Sequence, residues 1–507
     1  MKFHLKTRSR FIGTFLLFLT IFTRFFKLDW GNGYYFHPDE NNMANSVLQM
    51  SQDNLNPHFF AYGQFPLFLT FFTTPVHQFD NIIFTLRFWS AIFSGFSVLF
   101  FYLIAKEIFK HQKTTAFATL LFIFTPGLIQ FSHFGTTESI LIFVFLVNIF
   151  LSLKILDKFK FKYLVFASLV SAIGLATKIS AFIFLIPIFL SLFLNFFKDK
   201  NFIKFFLQSL LFFSFTILIF IIFSPFNLID FSSFLSTMKY EVGVANGQIL
   251  VFYTRQFLNT LPYIFQFQKI FPYTNGLPIL FFSLIGIFCL PKKSKKFLLI
   301  IIPSLIFFLY QGQLFVKWTR FMAPIFFIFP LLATCFLLKI KNNFLKTILI
   351  IFAVLPGIYF LRIYSNTDIR LQASNWINQN IVPNSQILSE SGNIINLPLD
   401  GNYQATNFDF YNLDQDFSQK LKLNALVRNS DYIIVPSRRV FKNQNNSLFP
   451  YSQEYYQNLF SGSFGFFPIK EFSQKNSLFL NSENAEETWS VFDNPTIRIF
   501  KKINNEV

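Results

Sequence analysis

The chain has 507 residues, 53% of them hydrophobic and only 13% charged, and its 83 phenylalanines fall in long apolar runs rather than amphipathic stripes. That composition excludes an ordinary water-soluble enzyme and describes a membrane protein. The net charge of +18 does not describe a nucleic-acid binder, because the lysines and arginines lie largely in short loops between apolar runs, which is a topology signal.

Lys2, Lys6, Arg8 and Arg10 precede an apolar stretch through Phe26. The pattern is similar to a signal peptide, but no small-residue cleavage site follows, so an uncleaved first span is expected. A helix needs about 20 residues to cross a hydrocarbon core. By that measure eleven apolar segments run along the chain, near 9–28, 82–105, 114–131, 137–154, 161–177, 179–197, 203–224, 276–290, 297–311, 321–338 and 344–364. The 161–177 and 179–197 pair also reads as one re-entrant unit. Cys289 and Cys335 both fall at apolar segments, so neither a disulfide framework nor a cysteine metal site is expected.

With residues 1–8 cytoplasmic, the even-numbered connections are all basic. They carry Lys106/Lys110/Lys113, Lys154/Lys158/Lys160/Lys162, Lys198/Lys200/Lys204, Lys292/Lys293/Lys295/Lys296 and Lys339/Lys341/Lys346. The opposite loops, 29–81, 225–275 and 312–320, are less basic and more aromatic, and the odd span count places the tail outside. Residues 1–364 therefore read as a polytopic α-helical membrane domain with a cytoplasmic N-terminus. Residues 365–507 read as a small extracytoplasmic α/β or α+β domain. Its signals are β-like runs at Asp431–Pro436 and Thr496–Phe500, and a helix over Gln372–Asn380 with Trp376 and Ile377 on its apolar face. No Gly-rich phosphate loop, nucleophile elbow or internal repeat stands out.

The suggestive polar residues all fall on the external side. The first loop holds His37-Pro38-Asp39-Glu40, His58, Tyr62 and the Gly63-Gln64-Phe65-Pro66 turn. Pro followed by two acids is an ordinary helix start, favoured by the macrodipole. Neighbouring carboxylates at a membrane surface also tend to split in pKa, so that one serves as a base. The remaining loops supply His133, Thr136, Thr137 and Glu138, then Thr177 and Lys178, then Lys239, Tyr240, Glu241, Tyr253, Arg255, Tyr263 and Tyr273, and finally Lys317 and Arg320. His58 and His133 read as interfacial polar residues before they read as metal ligands. Lys178 lies between apolar runs, where a cation is costly unless it has a function. Lys317 and Arg320 stand on the face that disfavours cations, and an anion such as a lipid phosphate accounts for them.

These motifs resemble those of the membrane glycosyltransferases that use lipid-phosphate sugars, the GT-C fold. Within it they are similar to the branch of protein O-mannosyltransferases and the lipid A aminoarabinose transferase. The acidic motif of the first external loop is here His37-Pro38-Asp39-Glu40. Similar too are Thr137-Glu138-Ser139, Ala176-Thr177-Lys178 and Lys317-x-x-Arg320-Phe321-x-x-Pro324. In the tail, Trp376-Ile377, Asp431 to Arg438 and Val491 to Pro495 look like segments appended to bacterial members. Glu138 stands alone in the second external loop, where many relatives carry Asp. The resemblance implies inverting transfer of a sugar from a polyprenyl-phosphate donor to a protein, lipid or glycan acceptor on the extracytoplasmic face. Asp39 would be the base, Glu40 would orient it, and Lys178, Lys317 and Arg320 would stabilise the leaving phosphate, with His37, Glu138 and Arg255 as further substrate-binding candidates. It leaves room for a divalent cation, since oligosaccharyltransferases of this fold use one, but the sequence holds no strong ligand cluster. The rival readings are a transporter or lipid flippase, which would show an inverted repeat and broken helices, and a structural subunit that tolerates changes around Asp39.

Overall fold

The computed structural model describes residues 2–291, 294–391, 396–444 and 447–503, with side chains from residue 11 onward. Lys292 and Lys293 and the N-terminal basic side chains named above lie outside the described residues. Helices occupy all eleven apolar segments. Among the described residues, six single helices are long and apolar enough to cross a membrane: Phe79–Phe109, Glu138–Asp157, Ile179–Asp199, Phe202–Phe223, Lys295–Gly312 and Asn343–Ser365. Three bent pairs raise the count to nine, and the shorter apolar helices Phe11–Phe25 and Phe161–Thr177 fill the two remaining segments. The chain is a multi-pass membrane protein.

The bends have local causes. In the first pair, Pro126 opens the second limb after the break at Thr125, and the limbs differ by 56°. The sharpest corner, 113° between Gln266–Thr274 and Leu277–Ile287, turns at Gly276, whose φ of +76° only glycine adopts at no steric cost. Lys178 is extended between two helical segments (φ −161°, ψ 130°), so 161–177 and 179–199 are two helices meeting at a backbone break. At one end of the bundle an ion-pair cluster gathers Glu107, Lys154, Asp157 and Lys296, with Lys296 Nζ 2.7 Å from Asp157 and 3.0 Å from Glu107. Three of the expected basic loops are therefore brought together at that end.

The tail contains a five-stranded mixed sheet in the order β2-β1-β3-β5-β4. The strands are β1 (Gln386–Ser391), β2 (Gln404–Asp409), β3 (Tyr432–Val435), β4 (Phe466–Phe472) and β5 (Ile497–Lys502). β1 runs parallel to β2 and β3, while β5 is antiparallel to β3 and β4. Alternate residues serve opposite faces. Ile387, Tyr432, Ile434, Ile497 and Ile499 pack under the helix Ile369–Asn380 through Ile369, Ala373 and Ile377. Leu388, Ile433, Val435 and Phe500 pack under helices Phe417–Asn429 and Pro450–Ser461 through Leu423, Val427, Tyr455 and Leu459. The two strands expected from sequence are the apolar central ones. β2 and β4 are edge strands with mostly exposed side chains and little alternation to detect.

Between β4 and β5 the chain leaves the sheet and returns to the helices. Ala485, Trp489, Val491 and Phe492 belong to the same apolar core as the membrane spans. The Trp489 ring lies 4.7 Å from Phe360, and Asp493 accepts hydrogen bonds from Tyr364 Oη (2.9 Å) and Gln130 Nε2 (3.2 Å).

Candidate active site

The loop after the first span is positioned by its acidic pair, whose members diverge. The helix Pro38–Gln49 starts at Pro38, so Asp39 and Glu40 share its first turn about 100° apart. Glu40 is fully buried and accepts from Arg87 Nη2 at 2.7 Å, from Arg87 Nε at 3.1 Å and from the Gly135 backbone N–H at 2.6 Å. Arg87 also donates to the carbonyls of Leu28 (3.0 Å) and Trp30 (2.9 Å), with its guanidinium stacked 4.3 Å over the Trp30 ring. This buried ion pair locks the helix that carries Asp39 against the span Phe79–Phe109.

Asp39 turns instead into a cavity of about 440 Å³. There it pairs with Arg320, whose Nη1 also donates to Tyr62 Oη at 2.9 Å. Arg320 stacks 4.4 Å over Trp318, and Lys178 Nζ sits 4.7 Å from the Phe321 ring and 5.9 Å from Tyr62. Tyr62 and Lys178 are neighbours because Gly63 presses on the end of the 161–177 helix. Its N–H donates to the Thr177 carbonyl at 2.9 Å, and a Cβ there would lie 2.0 Å from the Ala176 oxygen. Glu241, Tyr253, Arg439, Glu487, Thr488 and Phe492 complete the polar end. The other walls include Leu175, Ile179, Phe182, Val242, Tyr310 and Leu314, of which Phe182 and Val242 are about half exposed.

Burial alone would raise the Asp39 carboxyl, but Arg320, with help from the Tyr62 hydroxyl and Lys178, outweighs it and holds Asp39 below the ordinary carboxylate range. Burial, reinforced by the Asp39 charge, pushes the Tyr62 hydroxyl well up, and burial raises the Glu241 carboxyl. Asp39 is thus an ionised, partnered carboxylate beside two cations.

Of the expected site residues, Asp39, Lys178 and Arg320 meet in the cavity. Glu40 does not line it. His37 precedes the same helix without a side-chain capping bond and is buried between the rings of Phe134 (4.6 Å) and Phe492 (4.5 Å), where burial lowers its pKa. Glu138 is buried in the first turn of its helix, accepts weakly from Thr137 Oγ1 (3.4 Å) and acts electrostatically on Lys178 and Arg320. Arg255 points into the sheet domain, donating to the Tyr411 carbonyl at 3.2 Å and stacking 4.5 Å over Phe449. Lys317 spends its ammonium on the Phe315 carbonyl (2.8 Å), and burial lowers it to about 8. His133 has both ring nitrogens 2.8 Å from carbonyls, those of Ile129 and Phe26, and His58 faces Asp230 at 3.8 Å.

Sequence reasoning missed Arg87, whose signal is a cation inside the apolar 82–105 run. It also missed Arg439, Glu487 and Thr488, which carry no local signal. The donor set does not fit a divalent ion. Among the described residues no three His, Cys, Asp or Glu side chains cluster for one, and Asp39 and Glu40 are each engaged by a guanidinium.

Residues 65–229, about a third of the chain, match the family model for dolichyl-phosphate-mannose-protein mannosyltransferase. No curated protein matches the chain by sequence. Among solved structures, the archaeal oligosaccharyltransferase AglB from Archaeoglobus fulgidus, in complex with an inhibitory peptide and a dolichol-phosphate, superposes with a TM-score of 0.55. The identity is 13%, over 89% of this chain and 72% of that one. An Archaeoglobus fulgidus oligosaccharyltransferase in complex with Zn and sulfate gives 0.52 at 14% identity, over 88% and 71%. ArnT from Cupriavidus metallidurans, bound to undecaprenyl phosphate, gives 0.49 at 10% identity, over 99% and 98%.

Proposed function

We propose that this chain, which has the fold of the GT-C membrane glycosyltransferases, moves a sugar from a polyprenyl-phosphate donor to an acceptor on the extracytoplasmic face, with inversion. One observation carries the reading. The Asp39–Arg320–Tyr62 cluster and Lys178 line a cavity whose other walls include apolar side chains, Phe182 and Val242 among them half exposed. An amphipathic donor fits that polarity, with its phosphate among the cations and its polyprenyl chain along Ile179, Phe182 and Leu314.

Asp39 held by Arg320 is a weak base. A donor phosphate competes for the guanidinium, and as Arg320 turns to it the Asp39 carboxylate is released and its pKa rises. The acceptor O–H then attacks the anomeric carbon. Its proton passes to Asp39, the bond from the anomeric carbon to the phosphate oxygen breaks, and the electron pair stays on the phosphate. Arg320 and Lys178 stabilise that growing charge. Glu40 is a positioning residue that acts through Arg87 on the helix bearing Asp39. The N-terminus is cytoplasmic in this reading, and the sheet domain at 365–507 is extracytoplasmic.

Asp39→Asn keeps size and removes proton acceptance, so turnover should fall at least ~10²-fold while donor binding persists. A variant that folds, binds a polyprenyl-phosphate sugar and transfers at the parental rate would end the assignment.

A further inference from the structure

A second cavity, of about 400 Å³, lies between segment 256–269 and the tail segments 438–442 and 483–486. It shares no lining residue with the Asp39 cavity, and the short run 486–488 forms the partition. Glu486 faces the second cavity, and Glu487 and Thr488 face the first.

Three cations line this space: Lys269, Arg438 and Lys442. Its two acids, together with Glu487, attract Arg438, but each has partners of its own. Glu483 is clamped by Arg498 (Nη1 to Oε1, 3.0 Å), and Glu486 accepts from the backbone N–H groups of Thr319 (2.9 Å) and Thr488 (3.2 Å). Among the described residues no ion pair reaches any of the three cations. Arg438 is only 7% exposed, gives Nη1 to the Ala485 carbonyl at 2.8 Å, and leaves Nε without a partner. Burial, and then the neighbouring Arg438, lowers the Lys442 ammonium, as expected of like charges facing one another. A buried guanidinium with an unpartnered donor, beside a half-buried Lys269 and an exposed Lys442 that no ion pair reaches, offers a place for an anion.

The rim says which kind of anion. Lys269 lies in a π-helical turn, Gln266–Ile270, at the start of the bent apolar pair that runs to Ile287. Its carbonyl accepts from the Glu486 N–H at 3.0 Å. Leu261 and Ile264, which also line the cavity, are 63% and 49% exposed, and Phe267 one turn on is 39% exposed. Cations inside an apolar, exposed rim at the head of a membrane segment match an amphiphile rather than a free ion.

We propose that this second cavity binds the phosphate of an anionic phospholipid, held between Lys269, Arg438 and Lys442, with its chains over Leu261 and Ile264. The lipid would bridge the helical and sheet domains and brace the 486–488 partition. The proposal is independent of the transfer reaction.

The test is native mass spectrometry of the full-length protein in detergent, with phosphatidylglycerol, phosphatidylcholine and inorganic phosphate as probes. One phosphatidylglycerol should be retained per chain in preference to phosphatidylcholine. The Lys269→Gln/Lys442→Gln pair should weaken retention roughly 30-fold, taking each lysine at its usual worth beside an anionic surface. Leu261→Asn should weaken it too, and if the double variant does not fold, Lys442→Gln alone is read in its place. Asp39→Asn should hold the lipid as the parent does, which separates failure here from failure of the transfer reading. Equal retention of both lipids, or no loss in the cation variants, overturns the proposal. Occupancy by inorganic phosphate without lipid retention assigns a free anion and overturns the lipid source.

Discussion

Asp39 and Glu40 are adjacent in sequence and have opposite fates because a helix turns about 100° per residue. One faces a polar cavity and the other a buried guanidinium. Glu40→Gln should therefore act mainly on stability. It leaves the Arg87 charge buried without its counter-ion, a loss of about 3–5 kcal/mol, seen as lower folded yield and melting temperature. Turnover per folded molecule should change far less than in Asp39→Asn. If Glu40→Gln melts like the parent and loses turnover instead, Glu40 acts at the reaction. The adjacency itself was legible in the sequence, but its division was not. The partner of Glu40 is Arg87, 47 residues away on an apolar helix. A cation inside that run was the clue, since such residues require a partner.

At the scale of elements, the long apolar runs announced the helices because membrane spans need little more than length and hydrophobicity. The bends were less visible, since Thr125-Pro126 interrupts a run that otherwise reads as straight, and the limb before Gly276 lay outside the segment read at 276–290. Among the site elements, the join between the Gly63 turn and the end of the 161–177 helix governs how close Tyr62 comes to Lys178. Gly63→Ala places a methyl against the Ala176 carbonyl. It should cost about 1–3 kcal/mol through overpacking and separate the two side chains, lowering transfer with the fold retained. Parental activity in a folded Gly63→Ala protein would show that this contact does not set the site. The central strands β3 and β5 were legible from alternation. The edge strands, and the return between β4 and β5, were not: Val491 to Pro495 stood out only by resemblance, and no periodicity in residues 474–494 sets them apart from a surface loop.

For the whole molecule, the proposed orientation rests on the basic loops. A reporter fused after Asn343 should read cytoplasmic and one after Asn366 external, and a shared side for both would refute the span order. The domain contact has a pH signature of its own. Burial raises the Asp493 carboxyl to about 7, against an ordinary value near 3.9. Between pH ~4 and ~7 the folded protein therefore holds a proton that the unfolded chain has released. Asp493 then contributes stability that falls as pH rises across that window and is flat above it, by roughly 2–4 kcal/mol in all. Asp493→Asn should flatten that part of the melting profile relative to the parent, and an unchanged slope would mean the carboxyl is not neutral where it packs against Gln130 and Tyr364.

The wall of the Asp39 cavity runs from Pro38 to Phe492 in the chain. At roughly 5–20 residues per second, synthesis takes on the order of 20–90 s to travel between them. Through that interval the spans insert around a half-built chamber, which gains Lys178 and then Arg320 on the way and Arg439, Glu487 and Phe492 last. Closure of the chamber is thus a late event in the life of the chain, withheld until a strand-to-strand connection has folded back onto helices that were threaded into the membrane long before it.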